Sequence, residues 1–319
     1  MRLFNINTGT EIRGFGTPYV GNVAISPDGR YALASHHTAD CASFYLSPSE
    51  ETTKLKLWEI STGSEVRTIS TFHGFDPYLA FNSDGRSELF LSSAILANNL
   101  AGAKWDSQDW NVIQSFQTEN FFDSSPSAPS SDTIDGSPAL SRDGRNFLLA
   151  VSHPMEEYRY AHLILCETAT GRQVMQSKSK KETVCFLSFS PDGQSALVSA
   201  SSYTYIDEIG SQTKTSRLEL WDFKSDETSE LFSTDGNAAG PVVFSPDGRY
   251  AVGSFGSKIV VVEIASKRVV RLLEGSYAGC MQISPDGRYL LTANGSSLQE
   301  NINNEMILWK LWDGERTGP

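Results

Sequence analysis

Short runs in which apolar and polar residues alternate recur along the chain. Leu55-Lys56-Leu57-Trp58-Glu59-Ile60 has the two-residue period of a half-buried β-strand. Ser61-Thr62-Gly63 then turns the chain into a second run, Glu65-Val66-Arg67-Thr68-Ile69. The pattern returns at residues 162–174 around Ala169-Thr170-Gly171, at Leu218-Glu219-Leu220-Trp221-Asp222, at residues 258–272, and at Met306-Ile307-Leu308-Trp309. Its weakest copy is Ala103-Lys104-Trp105-Asp106, ahead of residues 110–116. Helical periodicity is nowhere sustained over three turns, so the pattern predicts many short strands.

A turn signature precedes each copy. It reads Ser26-Pro27-Asp28-Gly29-Arg30-Tyr31, Ser83-Asp84-Gly85-Arg86, Ser141-Arg142-Asp143-Gly144-Arg145, Ser190-Pro191-Asp192-Gly193, Ser245-Pro246-Asp247-Gly248-Arg249-Tyr250 and Ser284-Pro285-Asp286-Gly287-Arg288-Tyr289. Proline presets φ, aspartate bonds nearby backbone, and glycine takes the left-handed position without steric cost. Apolar runs flank the turn on both sides, as in Val242-Val243-Phe244 before it and Ala196-Leu197-Val198-Ser199 after it. The signature predicts a hairpin between the first and second strands of each unit. Six units of four strands predict an all-β fold, a β-propeller of four-stranded antiparallel blades. It is expected to be six-bladed, with seven blades, one of them partial, as the alternative. A sandwich of short strands would not repeat one motif six times.

The repeat resembles that of prokaryotic WD-repeat propellers: Ser-Pro-Asp-Gly-Arg-Tyr, then Leu-x-Leu-Trp-Asp/Glu, then Thr-Gly. The resemblance runs from about residue 3 to residue 312. Trp58, Trp105, Trp221 and Trp309 keep the family's tryptophan position, while Cys166 and Val262 replace it in two units. The family's Gly-His is lost, and His73-Gly74 is reversed. The buried polar network is therefore expected to be incomplete, leaving apolar packing to hold the blades. The turn also resembles the sialidase aspartate box, but that box has one more residue between Asp and Gly. The resemblance further implies a sensing or recruiting role, often beside signalling or effector domains.

Residues 3–13 match a third strand, a Thr-Gly turn at Thr8-Gly9 and a fourth strand, whereas the last unit stops after a third strand at 306–311. An open ring would expose sheet edges. A single domain over residues 1–319 is expected, closed by about residues 11–15 pairing with the last blade.

The net charge of −12 disfavours a phosphate backbone as partner. No apolar run is long enough to span a bilayer, and the first residues lack the segments of a secretory signal. Cys41, Cys166, Cys185 and Cys280 show no C-x-x-C spacing and read as reduced thiols. A cytoplasmic protein is expected, without cofactor, metal or membrane partner.

The first-to-second strand turns are tight. The long connections are residues 36–54, 117–136, 152–161, 201–216 and 294–304. In a propeller these emerge on one face, which is the expected binding face. Candidate contacts are His36, His37, Asp40, Phe44, Tyr45, His73, Phe121, Phe122, His153, Tyr158, Tyr160, Tyr203, Tyr205 and Asp207. Aromatic anchors are enriched at interfaces, although loop aromatics also pack locally. Residues 123–135, rich in Ser and Pro, read as a tether. The five histidines, His36, His37, His73, His153 and His162, come from three units and carry no metal motif.

No catalytic motif is present. The expectation is a non-catalytic scaffold or sensing module that binds a protein or peptide, or other domains of a larger parent chain. The alternative is a propeller hydrolase or lyase using loop His, Asp and Glu residues at the channel mouth. Loop carboxylates such as Glu50, Glu51, Glu156, Glu157 and Glu208 would serve it.

Overall fold

A computed structural model describes residues 1–4, 10–15, 20–26, 28–37, 52–73, 78–81, 87–94, 99–106, 112–118, 133–155, 158–205, 212–275, 278–293 and 306–311. Among them every regular element is a strand. β1 (Arg2–Phe4) and β2 (Glu11–Gly14) form a two-stranded hairpin. The first blade is β3 (Val20–Ile25), β4 (Tyr31–His37), β5 (Thr52–Glu59) and β6 (Glu65–His73). The second is β7 (Tyr78–Phe81), β8 (Ser87–Ala94), β9 (Asn99–Asp106) and β10 (Val112–Thr118). The third is β11 (Thr133–Leu140), β12 (Asn146–Met155), β13 (Tyr158–Glu167) and β14 (Gln173–Gln176). The fourth is β15 (Thr183–Phe189), β16 (Ser195–Tyr205), β17 (Gln212–Asp222) and β18 (Glu227–Asp235). The fifth is β19 (Ala239–Phe244), β20 (Tyr250–Phe255), β21 (Lys258–Glu263) and β22 (Arg268–Glu274). β23 (Cys280–Ile283), β24 (Tyr289–Ala293) and β25 (Met306–Lys310) are the last three strands.

The expectation of six blades, or seven with a partial one, is thereby corrected. Among the described residues five blades have four strands, and the last repeat gives a three-stranded sheet. Among the described residues β25 pairs with β24, and Glu11–Gly14, the strand expected to complete the last blade, pairs with Arg2–Phe4.

Contacts divide the chain into two compact units. One comprises residues 1–133, 143–145 and 167–172; the other comprises 134–142, 146–166 and 173–319. The expected pairing of residues 11–15 with residues 306–311 would join the two and stays an expectation. Glu11–Gly14 pairs with Arg2–Phe4, as the half unit predicted.

In the first unit, Phe15 packs with Ala32, Ala34 and Trp58, and Leu33 and Leu55 pack with Leu79. In the second unit, one cluster joins Leu148, Ala150 and Leu163 to Val198, Ala200 and Trp221. A second joins Leu197 and Leu218 to Val242, Phe255 and Val260. Both faces of the middle strands are thus buried, which is why Ile259, Val260, Val261 and Val262 form a continuous apolar run rather than an alternating one.

The turn signature works as the sequence predicted. Ser26 Oγ donates to Asp28 Oδ1 at 2.6 Å and accepts the Tyr31 N–H at 2.9 Å. The Arg30 N–H donates to the same Asp28 oxygen at 3.0 Å. Gly29 sits at φ 71°, where a Cβ would be strained. Ser190-Asp192, Ser245-Asp247 and Ser284-Asp286 repeat this lock. Hydrogen bonding from Ser26 and Arg30 holds the Asp28 carboxyl below its usual range.

The tryptophan network differs from expectation. Trp58 Nε1 donates to His36 Nε2 at 3.2 Å, Trp221 Nε1 to Asp226 Oδ1 at 3.1 Å, and Trp309 Nε1 to Thr292 Oγ1 at 2.9 Å. Each of these indoles has its own acceptor without the Gly-His, so polar contacts and apolar packing act together. Among the described residues Thr168 Oγ1, Ser199 Oγ and Ser254 Oγ are buried without a hydrogen-bond partner, and for Ser254 the reason is local. The Asn22 N–H bonds Ser35 Oγ at 2.8 Å. Pro241 takes the equivalent bulge position opposite Ser254 and has no N–H, leaving Ser254 Oγ without a partner.

Candidate functional site

The connections expected to be loops at 152–161 and 201–216 are largely strand. β12 and β13 together run through all but residues 156 and 157, and β16 and β17 through all but 206–211. Ser-Tyr-Thr-Tyr at 202–205 and Gln-Thr-Lys-Thr at 212–215 are rich in strand formers, and they keep pairing from Ser202↔Thr215 to Tyr205↔Gln212. In the fifth blade the corresponding strands end at Phe255 and restart at Lys258. β16 has 11 residues and β20 has 6, so the fourth-blade hairpin overhangs by five residues. At ~3.3 Å per residue that is about 17 Å of additional hairpin.

Tyr203 lies on this overhang, 46% exposed, with the Lys214 ammonium 5.6 Å from its ring centroid. Tyr160 is half-buried on β13. His36 is buried and committed to Trp58, so it belongs to the core of its blade and not to a contact surface. The backbones of His37, His73, His153, Tyr158 and Tyr205 lie in strands β4, β6, β12, β13 and β16. Asp40, Phe44, Tyr45, Phe121, Phe122 and Asp207, with Glu50, Glu51, Glu156, Glu157 and Glu208, lie outside the described residues. No group of three or more His, Cys, Asp or Glu able to hold a metal occurs among the described residues.

A charged cluster at the base of the same hairpin escaped the sequence reading. The connection from β14 to β15 stays on β13: the Ser177 N–H donates to Leu163 O at 2.9 Å, and Lys180 and Ala161 exchange two backbone bonds of 2.8 Å. Lys180 Nζ then reaches Glu219 on β17. Arg217, two residues away on the same face of β17, donates to Ser202 Oγ at 2.9 Å and lies 3.3 Å from Glu230. Glu182 is 7% exposed, beside this group, and no donor among the described residues bonds its carboxylate. Burial pushes the Glu182 carboxyl up to about 7; the Glu219 carboxylate adds to the rise, while Lys180 and Arg217 oppose it. The sequence signal was only Lys178-Ser179-Lys180-Lys181-Glu182, which reads as a solvated charge run. The register Thr183↔Ser201 is what brings it under the hairpin.

None of the three described cysteines forms a disulfide. Cys166 is buried, its thiol pushed up to about 12 by burial, whereas Cys280 is exposed on β23. No helix among the described residues is long and apolar enough to cross a membrane.

No family model matches the chain, and no curated protein matches it in sequence. Its structure is similar to a chain of Kuenenia stuttgartiensis hydrazine synthase, with a TM-score of 0.70 and 14% identity, over 97% of this chain and 88% of that one. At that identity the likeness carries the fold and no activity: an all-β propeller of four-stranded antiparallel blades.

Proposed function

We propose that the chain is a non-catalytic binding scaffold or sensing module of the WD-repeat kind, whose protein or peptide partner docks on the second-to-third strand hairpins. The observation that carries this reading is the β16–β17 overhang with exposed Tyr203 against Lys214. A tyrosine ring held by a neighbouring cation offers a large, ordered contact at low entropic cost. A paired hairpin also presents it more rigidly than a loop would. The alternative of a loop-based hydrolase or lyase draws less support from the described carboxylates. Glu219 is committed to Lys180, and Arg217 stands beside Glu182.

The test is affinity purification from the native host, comparing wild type with the Tyr203→Ala/Tyr205→Ala variant. The variant is expected to lose specific partners while keeping its fold by circular dichroism. Identical partner sets for the two proteins would sink the choice of surface.

A further inference from the structure

We infer that the partner of the β16–β17 hairpin adds an extended strand to the inner edge of β16 at Ser202–Tyr205, with an acidic side chain of that strand beside Lys214. This deepens the docking surface proposed above and rests on that reading.

The edge is open among the described residues. The inner neighbour of β16 is β15, and their pairing ends at Thr183↔Ser201. β16 itself continues to Tyr205, held from its other side by β17. Four residues therefore run on with no described strand along their inner side.

The backbone orientation follows from one bond. The Gly236 N–H, just after β18, donates to Lys214 O at 2.8 Å. The N–H and C=O of one strand residue point to the same side, so those of Lys214 point away from β16. Lys214 stands directly opposite Tyr203. Theirs is thus a pair without mutual hydrogen bonds, the kind with the closer side chains. The N–H and C=O of Tyr203 then point away from β17, out of the open edge. They offer a donor and an acceptor to one residue of an added antiparallel strand. The backbone of Tyr205 repeats the offer by two-residue alternation.

The side chains decide the class of strand. β16 and β17 pair residue for residue from Ser195↔Asp222 to Tyr205↔Gln212. Tyr203 and Lys214 therefore share a face with Leu197 and Leu218, which pack on Val242, Phe255 and Val260 of the fifth blade. The fifth-blade strands stop at Phe255 and restart at Lys258, so they end below Tyr203, which is 46% exposed. The Lys214 ammonium, 5.6 Å from the Tyr203 ring centroid, leans across β16 toward the open edge. Among the described residues no carboxylate forms an ion pair with it. Asp235 stands opposite Thr215, on the other face, and accepts the Thr215 hydroxyl at 2.7 Å. A cation without a counterion beside a free backbone donor and acceptor selects an extended strand that carries a carboxylate.

The test uses the fluorescein-labelled peptide Val-Thr-Glu-Thr-Val and its Val-Thr-Lys-Thr-Val counterpart, with binding to the full chain read by fluorescence anisotropy at low salt. Wild type is expected to bind the glutamate peptide about fivefold more tightly, the size of one exposed ion pair. Lys214→Glu should reverse the preference. Methylating the amide nitrogen of the central glutamate removes the N–H that Tyr203 C=O accepts and should weaken binding at least ~10-fold, the worth of one good hydrogen bond. Methylating the next threonine nitrogen, which faces away from β16, should leave binding unchanged. Equal affinity for the two peptides, equal effects of the two methylations, or no binding at millimolar peptide each overturn the added strand. If any of these is found while the Tyr203→Ala/Tyr205→Ala variant still loses its partners, the docking surface stands and only the added strand falls.

Discussion

The buried pair His36 and Trp58 offers the sharpest separation between structural and binding roles. The imidazole Nε2 accepts the indole N–H at 3.2 Å, and the two rings lie 5.7 Å apart at 41°. Phe15 meets the indole edge-on at 6.3 Å. His36→Leu keeps most of the volume and deletes the acceptor. The orphaned buried N–H costs about 1–3 kcal/mol, and the lost ring contact roughly 0.5–1.5 kcal/mol. Leucine recovers part of that by packing, so we expect a net loss of about 2 kcal/mol. Because the chain has two compact units, a single global transition is not assured. Stability is therefore read locally, from native-state hydrogen exchange of the β4 and β5 amides. In a double-mutant cycle with Trp58→Phe, the two changes should couple by about 1 kcal/mol. Coupling below about 0.3 kcal/mol would show that the bond contributes nothing. Loss of a partner with unchanged β4–β5 exchange would return His36 to the binding surface and refute the reasoning.

Three further outcomes follow from the same structure. Glu182 is raised from 4.5 to about 7 on folding, so the native state holds more protons between those values and wild-type stability falls as pH rises through that window. The loss levels off above pH 7 at about 3 kcal/mol, and Glu182→Gln should flatten it when urea midpoints are compared at pH 5 and pH 8. A Cβ at Gly253 would stand 2.9 Å from Phe255 Cε2 and 3.5 Å from Leu218 Cδ2. Gly253→Ala should therefore destabilise the fifth blade by about 1–3 kcal/mol in urea unfolding, with partial rescue by Phe255→Leu. Lys267 occupies the left-handed region at φ 56°, where the equivalent turns at Gly63 and Gly171 use glycine. Lys267→Gly should raise stability by roughly 0.5–1 kcal/mol, since relief of the left-handed strain exceeds the added chain entropy; an unchanged or lowered melting temperature would contradict this.

What the sequence reveals depends on how far apart the interacting atoms lie along it. The Ser-x-Asp-Gly lock closes within six residues, from the Ser26 N–H to the Tyr31 carbonyl, so it can be read directly. The strand pairs flanking it are legible for the same reason. The pairing of residues 11–15 was not, because which edge a strand joins is set by distant residues: Glu11–Gly14 pairs with Arg2–Phe4. The extension of β16 to Tyr205 was hidden too. Ser, Thr and Tyr suit loops and strands alike, and pairing with Gln212–Ser216 decides between them. The indole acceptors come from two kinds of place: a neighbouring strand for His36 and Thr292, and a turn for Asp226. Nor does a lysine-rich stretch announce that its last glutamate will be buried, since Glu182 owes its environment to β13 and β17.

The exposed valines on the outer strands bear on where a partner could dock. In each four-stranded blade but the fourth, the fourth strand takes one extra residue just after the partner of the tryptophan position. The pairs are Trp58↔Glu65, Trp105↔Val112, Cys166↔Gln173 and Val262↔Val269, and the extra residues are Val66, Ile113, Val174 and Val270. In the fourth blade the bulge falls at Leu231, between Glu230 and Phe232. A bulge breaks the row of free N–H and C=O groups along an edge and increases its twist, which prevents another strand from pairing there. Val66, Val174 and Val270 are exposed at these bulges, whereas Leu231 is buried. The three valines also lie within three residues of the turns at Gly63, Gly171 and Lys267, at the opposite end of each blade from the second-to-third strand hairpins. These bulge residues therefore do not compete with the β16–β17 overhang as a docking surface, and the case for that overhang rests on Tyr203 and Lys214.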